Sequence, residues 1–340
     1  MRIGLLTGGG DCPGLNATIR AIVKQGLGEY GHQIIGFRNG WQGVVEGDVM
    51  QLDRSQIRNT LPMGGTMLGT ARFHPHGEGA MDQVMATLEA ERIDALICIG
   101  GDGTLNAATK VSEHGINIVG IPKTIDNDVY GTELSIGYHT AVNIATEAID
   151  RVHTTAESHN RVMVVEVMGR HAGWIAVASG IAGGAEIVLA PEEPFDIEKV
   201  AAFLRHRHRA HANFSIVVVA EGAMPAKGSA MDYEVQLGKF GEIVAGAIGE
   251  RVAKEISERT GFDTRLTVLG HVQRGGSPTP TDRILGSRFG VAAVDAITAG
   301  KTNVMTALRN EEVVLVPLED IAGKLKRVPA DLLHVAKALA

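Results

Sequence analysis

Eight short apolar runs recur along the chain, and nearly all of them lead through a glycine-bearing turn into a segment with helical spacing. The runs are Arg2–Thr7, Gln33–Phe37, Ala95–Ile99, Asn117–Ile121, Arg161–Val167, Glu186–Leu189, Phe214–Ala220 and Leu266–Leu269. Their near-continuous apolarity predicts burial on both faces, the condition of parallel strands covered by helices on either side. Apolar residues spaced near 3.6 predict helices over Leu15–Glu29, Met81–Ala90, Leu105–Glu113, Thr140–Thr155, Ile197–His206, Ile243–Thr260 and Arg283–Ala299. The alternation predicts an α/β protein, and 340 residues exceed what one hydrophobic core usually supports, so two doubly wound, mainly parallel α/β sandwich domains are expected. Sheets of this kind bind ligands beyond the carboxyl ends of their strands.

The net charge of −7 argues against generic affinity for nucleic acid or anionic membranes, both of which need a basic surface. Positive charge for phosphate must therefore be local. Cys12 and Cys98 sit in or beside apolar runs and form no paired framework, which predicts a reducing compartment. The segment Met1-Arg2-Ile3-Gly4-Leu5-Leu6 lacks the features of a secretory signal, and no apolar stretch approaches membrane-spanning length, so a cytoplasmic location is expected.

Three motifs follow predicted strands directly. In Thr7-Gly8-Gly9-Gly10-Asp11-Cys12-Pro13-Gly14, small residues let backbone N–H groups approach a phosphate at a helix start. It is neither a Walker loop, since no Gly-Lys-Ser/Thr follows, nor a dinucleotide fingerprint, since Pro13 takes the place of the last glycine. In Gly100-Gly101-Asp102-Gly103-Thr104, Asp102 is a hard oxygen ligand suited to Mg²⁺, and Asp102 or Thr104 could equally cap the helix. In Pro122-Lys123-Thr124-Ile125-Asp126-Asn127-Asp128, two carboxylates in one loop can divide proton transfer from orienting a cation.

Together, the second and third motifs resemble the phosphofructokinase family. NAD kinases and diacylglycerol-type lipid kinases share a Gly-Gly-Asp-Gly-Thr element but not its partner. The resemblance continues through Met168-Gly169-Arg170-His171-Ala172-Gly173, Ala220-Glu221-Gly222 and Leu269-Gly270-His271-Val272-Gln273-Arg274-Gly275-Gly276, and covers nearly the whole chain. It implies phosphoryl transfer to the 1-hydroxyl of fructose 6-phosphate, with ATP and Mg²⁺. The alternatives are the same reaction driven by pyrophosphate, or a silent regulatory subunit that binds the sugar phosphate without turnover. On this resemblance Gly10, Arg72, Phe73, Gly101, Asp102, Gly103 and Thr104 form the donor site, with Asp102 on the metal. Asp126 is the general base with Thr124 and Ile125 beside it, and Arg170 and Arg72 offset charge on the transferring phosphoryl group. Met168, Gly169, Arg170, Glu221, His271, Val272, Gln273 and Arg274 bind the sugar phosphate. Arg161 and Arg265 match arginines that the family supplies from a neighbouring subunit, which implies a homo-oligomer, usually a tetramer. The implied domains are 1–138 with 251–305 for the donor and 139–250 with 306–340 for the sugar phosphate.

Donor choice divides two residues. Gly103 resembles the ATP enzymes, because a position without a side chain leaves room for a nucleotide's α-phosphate; Lys123 resembles the pyrophosphate enzymes, which use lysine to bind phosphate. Arg20, Lys24 and Arg54 loosely resemble the cationic effector site of bacterial relatives. The run from Arg205 to His211 reads as a solvated helix end whose charge suits the helix dipole.

Overall fold

The computed structural model describes residues 1–73, 75, 79–231, 233 and 244–340. Eleven strands are found among them: β1 (Arg2–Thr7), β2 (Gln33–Phe37), β3 (Val49–Leu52), β4 (Ala95–Gly100), β5 (Ile118–Pro122), β6 (Val162–Val167), β7 (Ile187–Leu189), β8 (Ser215–Ala220), β9 (Thr264–Val268), β10 (Val304–Arg309) and β11 (Glu312–Pro317). The helices are α1 (Leu15–Gly28), α2 (Trp41–Glu46), α3 (Ala80–Ala90), α4 (Asp102–Ser112), α5 (Tyr138–His159), α6 (Trp174–Ala182), α7 (Ile197–Arg209), α8 (Ala247–Thr260), α9 (Pro280–Thr298), α10 (Leu318–Ile321) and α11 (Ala330–Ala338). The chain divides into two compact units, Met1–Thr140 with Arg274–Lys326, and Ala141–Gln273 with Arg327–Ala340. Among the described residues no helix is long and apolar enough to cross a membrane.

The first unit holds a seven-stranded sheet in the order β11-β10-β5-β4-β1-β2-β3. Its centre is parallel, and each end closes with an antiparallel pair, β2 with β3 and β10 with β11. β4 and β5 are fully buried along their length, as their apolarity predicts. The chain runs outward from β1 to β2 and then returns to lay β4 on the other side of β1. That reversal opens a crevice at the carboxyl ends of β1 and β4, where the first two glycine motifs begin.

The second unit holds a four-stranded parallel sheet, β7-β8-β6-β9. β6 and β8 are buried throughout. The buried Glu166 carboxylate accepts backbone N–H bonds from Gly246 (2.5 Å) and Gly249 (2.7 Å), fixing the start of α8 against β6. Burial pushes its pKa above the ordinary carboxylate value.

The division corrects the expected segments. Residues 251–273 belong to the second unit because β9 pairs with β6, Val162 opposite Thr264, and α8 leads into β9. Residues 306–326 belong to the first because β10 pairs with β5, Val304 opposite Val119, and carries β11 with it. The expected helix over 243–260 is seen from Ala247, and Ile243 lies outside the described residues.

Candidate active site

The loop after β1 is set by small residues and one threonine. The Gly8 N–H donates to the Ile99 carbonyl (2.9 Å), so the turn starts against the end of β4. Thr104, in the first turn of α4, fills the space beside it: a Cβ on either Gly8 or Gly100 would lie 2.5 Å from Thr104 Oγ1. Thr70 Oγ1 donates to the Gly9 carbonyl (2.6 Å), and Trp41 Nε1 to the Thr104 carbonyl (3.3 Å). The two glycine turns thus share one packed seam in which no larger residue fits.

Beneath this seam lies Lys123. Its backbone N–H donates to the Gly100 carbonyl (2.9 Å), and its ammonium donates to the Gly10 carbonyl (2.5 Å) while only 2% of the residue is exposed. Desolvation holds its pKa below that of an ordinary lysine. Cys12 is also buried, and burial pushes its thiol up to about 12, so it stays protonated and unreactive. Arg274 reaches the same loop from the end of a 3₁₀ turn at Gly270–Arg274: its guanidinium donates to the Asp11 carbonyl (3.3 Å) and occupies the space a Cβ on Gly10 would need.

The third motif forms a loop braced from within. The Asp126 N–H donates to Thr124 Oγ1 (3.2 Å). Asn127 adopts φ 51°, a conformation asparagine tolerates better than most residues, and its Oδ1 accepts from the Ser135 N–H (3.0 Å) while Nδ2 donates to the Glu133 carbonyl (3.3 Å). Ser135 Oγ donates to the Thr124 carbonyl (2.7 Å). Ile125 is fully buried, so its side chain anchors the loop and only its backbone can meet a ligand. Asp126 remains partly exposed at the loop's surface. A Cβ on Gly101 would lie 3.7 Å from Thr124 Cβ, which brings the second motif against the third.

Asp102 is exposed at the start of α4 and accepts from Asn106 Nδ2 (3.0 Å) on one of its two carboxylate oxygens. No cluster of three His, Cys, Asp or Glu residues able to cage a metal occurs among the described residues. A lone exposed carboxylate suits a Mg²⁺ ion carried in by phosphates, since that ion typically keeps several waters and binds through one or two carboxylates. Gly103 is likewise exposed. Arg72 is exposed, whereas Phe73 packs partly buried against the core formed by Leu6, Phe37 and Trp41.

In the second unit, Met168, Gly169, Glu221 and Gln273 gather at the carboxyl ends of β6 and β8. Gly169 has φ 135°, and the Gly222 N–H donates to its carbonyl (3.1 Å). The Glu221 N–H donates to the Val167 carbonyl (2.9 Å). Gln273 is fully buried and accepts from the Met168 N–H (3.3 Å), which makes it a support for that loop. Glu192 accepts from the Gly173 N–H (3.0 Å), capping α6 and closing the loop that carries the exposed Arg170. His271 and Val272 are exposed on the 3₁₀ turn. Arg161 and Arg265 lie elsewhere, at the opening ends of β6 and β9, where both grip Asp263: Arg161 Nε at 2.7 Å and Arg265 Nη1 at 2.6 Å. The Arg161 hydrogen bond, with help from Arg265, holds the Asp263 carboxyl below its usual range.

A sheet reversal flanked by two glycine turns, with carboxylates in the adjoining loops, defines an enzyme of phosphate chemistry in the doubly wound class. The Phosphofructokinase family model matches residues 2–297, and the chain belongs to that family. It is a phosphotransferase with an alcohol acceptor. It is 52% identical over 330 residues, with 96% of each chain covered, to the pyrophosphate–fructose 6-phosphate 1-phosphotransferase of Streptomyces coelicolor. It is 51% identical over 331 residues, covering 97% of this chain and 96% of the relative, to the ATP-dependent 6-phosphofructokinase of Mycobacterium tuberculosis. Among solved structures it resembles the phosphofructokinase of Pichia pastoris, with a TM-score of 0.83 and 32% identity over 99% of this chain and 36% of that one.

Proposed function

We propose that the protein is a cytoplasmic, ATP-dependent 6-phosphofructokinase that converts fructose 6-phosphate to fructose 1,6-bisphosphate. The observation that carries the choice of donor is Gly103, a residue without a side chain on the solvent-facing first turn of α4. Excluding a nucleotide there needs bulk or negative charge, and glycine supplies neither. Lys123 does not oppose this reading, because its ammonium is buried and bonded to the Gly10 carbonyl, where it holds the donor loop together.

In the proposed reaction Asp126 accepts the proton of the sugar 1-hydroxyl as that oxygen bonds to the γ-phosphorus and the bond to the β-phosphate oxygen breaks, releasing ADP. Asp102 would hold Mg²⁺, which when bound neutralises charge on the donor phosphates. Backbone N–H groups of Gly9, Gly10 and the Gly101–Gly103 stretch cradle those phosphates, with Thr104 packing the turn, and Arg72 and Arg170 offset charge on the transferring group. Met168, Gly169, Glu221, His271, Val272, Gln273 and Arg274 bind or support the sugar phosphate. The first unit is then the donor unit and the second the sugar-phosphate unit.

The testing measurement is a coupled assay for fructose 1,6-bisphosphate, with fructose 6-phosphate, Mg²⁺ and either ATP or pyrophosphate as sole donor. Turnover with ATP alone supports the proposal; turnover with pyrophosphate alone transfers the choice of donor to Lys123, and silence with both favours a regulatory subunit. Gly103→Asp is expected to lower kcat/KM for ATP at least about tenfold more than for pyrophosphate, through repulsion of the α-phosphate. Equal losses would remove the argument from this position.

The location of Arg161 and Arg265 at the far end of their strands fits service to another subunit's site in a homotetramer. Inactive Arg265→Ala and Asp126→Ser chains, co-assembled, are expected to recover part of the wild-type turnover. Mixed oligomers that stay silent would refute sharing.

A further inference from the structure

We infer that Lys326 is a positioning residue for the phosphoryl-transfer step, acting by holding the loop that carries Asp126; this rests on the proposed role of Asp126 as base. The loop from Thr124 to Ser135 has no strand or helix to stiffen it along most of its length, and the bonds around Asn127 brace only its inner side. Its outer side leans on β10, where the Glu133 N–H donates to the Leu308 carbonyl (2.9 Å) and the Leu308 N–H to Thr132 Oγ1 (3.0 Å), and is tied to the rest of the loop by the last residues of the first unit. Leu325 forms an isolated antiparallel bridge with Val129, and the Lys326 N–H donates to the Asp128 carbonyl (2.9 Å). The Lys326 ammonium then reaches over to the far limb of the same loop and donates to the carbonyls of Thr132 (3.0 Å) and Glu133 (2.7 Å). One residue thus ties both limbs of the loop, one through its backbone and the other through its side chain.

The chemistry suits a permanent clamp. Burial lowers the Lys326 ammonium to about 7, with Asp128 and Glu133 drawing it partly back up. Even the neutral amine keeps two N–H donors, matching the two carbonyls it serves. Without it the Thr132 carbonyl would lose this bond and the Glu133 carbonyl would keep only the longer bond from Asn127 Nδ2, and the loop would relax outward. A displacement of the base by about 1 Å is enough to reduce turnover strongly, since proton transfer depends on hydrogen-bond distance.

Lys326→Met keeps the length and apolar stem and removes the donors. It is expected to lower kcat about tenfold, with KM for fructose 6-phosphate and for the donor changed less than about twofold. The loss should disappear in an Asp126→Ser background, because a residue acting only through that base has nothing left to position. Lys326→Gln, which keeps N–H donors on a shorter stem, should fall between wild type and Met. Wild-type kcat in either folded variant overturns the inference, as does a loss of the same size on top of Asp126→Ser. The Gln variant decides the matter where the Met chain does not fold. If Asp126→Ser alone leaves turnover intact, the base assignment has failed instead.

Discussion

Asp126→Ser is expected to lower kcat by about 10²–10⁴-fold while KM for fructose 6-phosphate stays within about threefold, since the base acts on a proton that moves only in the transition state. The site geometry makes this a clean experiment. The loop is held through the Asp126 backbone N–H on Thr124 Oγ1, through Asn127 and through Ser135, so a shorter side chain at 126 leaves those bonds in place. Steady-state kinetics with the preferred donor would check it. A variant that keeps more than about a third of wild-type kcat would show that another group takes the proton.

Asp282→Ala is expected to cost the first unit about 3 kcal/mol, a fall in its thermal midpoint on the order of 6–12 °C. Asp282 is fully buried near the start of α9 and accepts three hydrogen bonds, from the N–H of Gly137 (2.9 Å), the N–H of Thr140 (2.7 Å) and Thr140 Oγ1 (2.5 Å). Alanine would strand those donors and leave a void at the start of α5, where the carboxylate meets Gly137 and Thr140. Calorimetry resolves the effect, and a loss below about 1 kcal/mol would mean that the start of α5 finds other partners.

The strands were the most legible part of the fold. β1 and β2 have the bounds their apolarity predicts, and the motifs that follow β1 and β4 stand at the sheet reversal, with the motif after β5 on the neighbouring strand, because each is contiguous with the strand that aims it. The β10–β11 hairpin was invisible for a definite reason. Its turn puts Asn310 at φ 49° and Glu311 at φ 66°, and glutamate at the second position hides the Asn-Gly signal that normally marks such a turn. Helix α6, Trp-Ile-Ala-Val-Ala-Ser-Gly-Ile-Ala, is apolar all round and so carries no periodicity to read. Three supports of the site, Lys326, Asp282 and Glu192, were equally hidden, since they act on backbone far away in sequence and none belongs to a local pattern that separates it from a surface residue, whereas Gln273 was singled out by its motif and only its buried, supporting position was not. The misplaced segment boundaries share this origin: only the pairing of β9 with β6 and of β10 with β5 decides them.

The clasp of Arg161 and Arg265 on Asp263 stands at one end of β6, and Met168 stands at the other. Seven residue steps at about 3.3 Å each separate them by about 23 Å, farther than one hexose phosphate can reach. On the proposed reading, a solitary chain would therefore be chemically incomplete, and output would depend on dose as well as on catalytic quality. Dilution would extinguish activity without unfolding anything. A chain lacking Arg265 that still assembled would silence a neighbour's site while its own was completed by a healthy copy, so in a cell carrying both, output would fall in proportion to the missing arginines rather than to nothing.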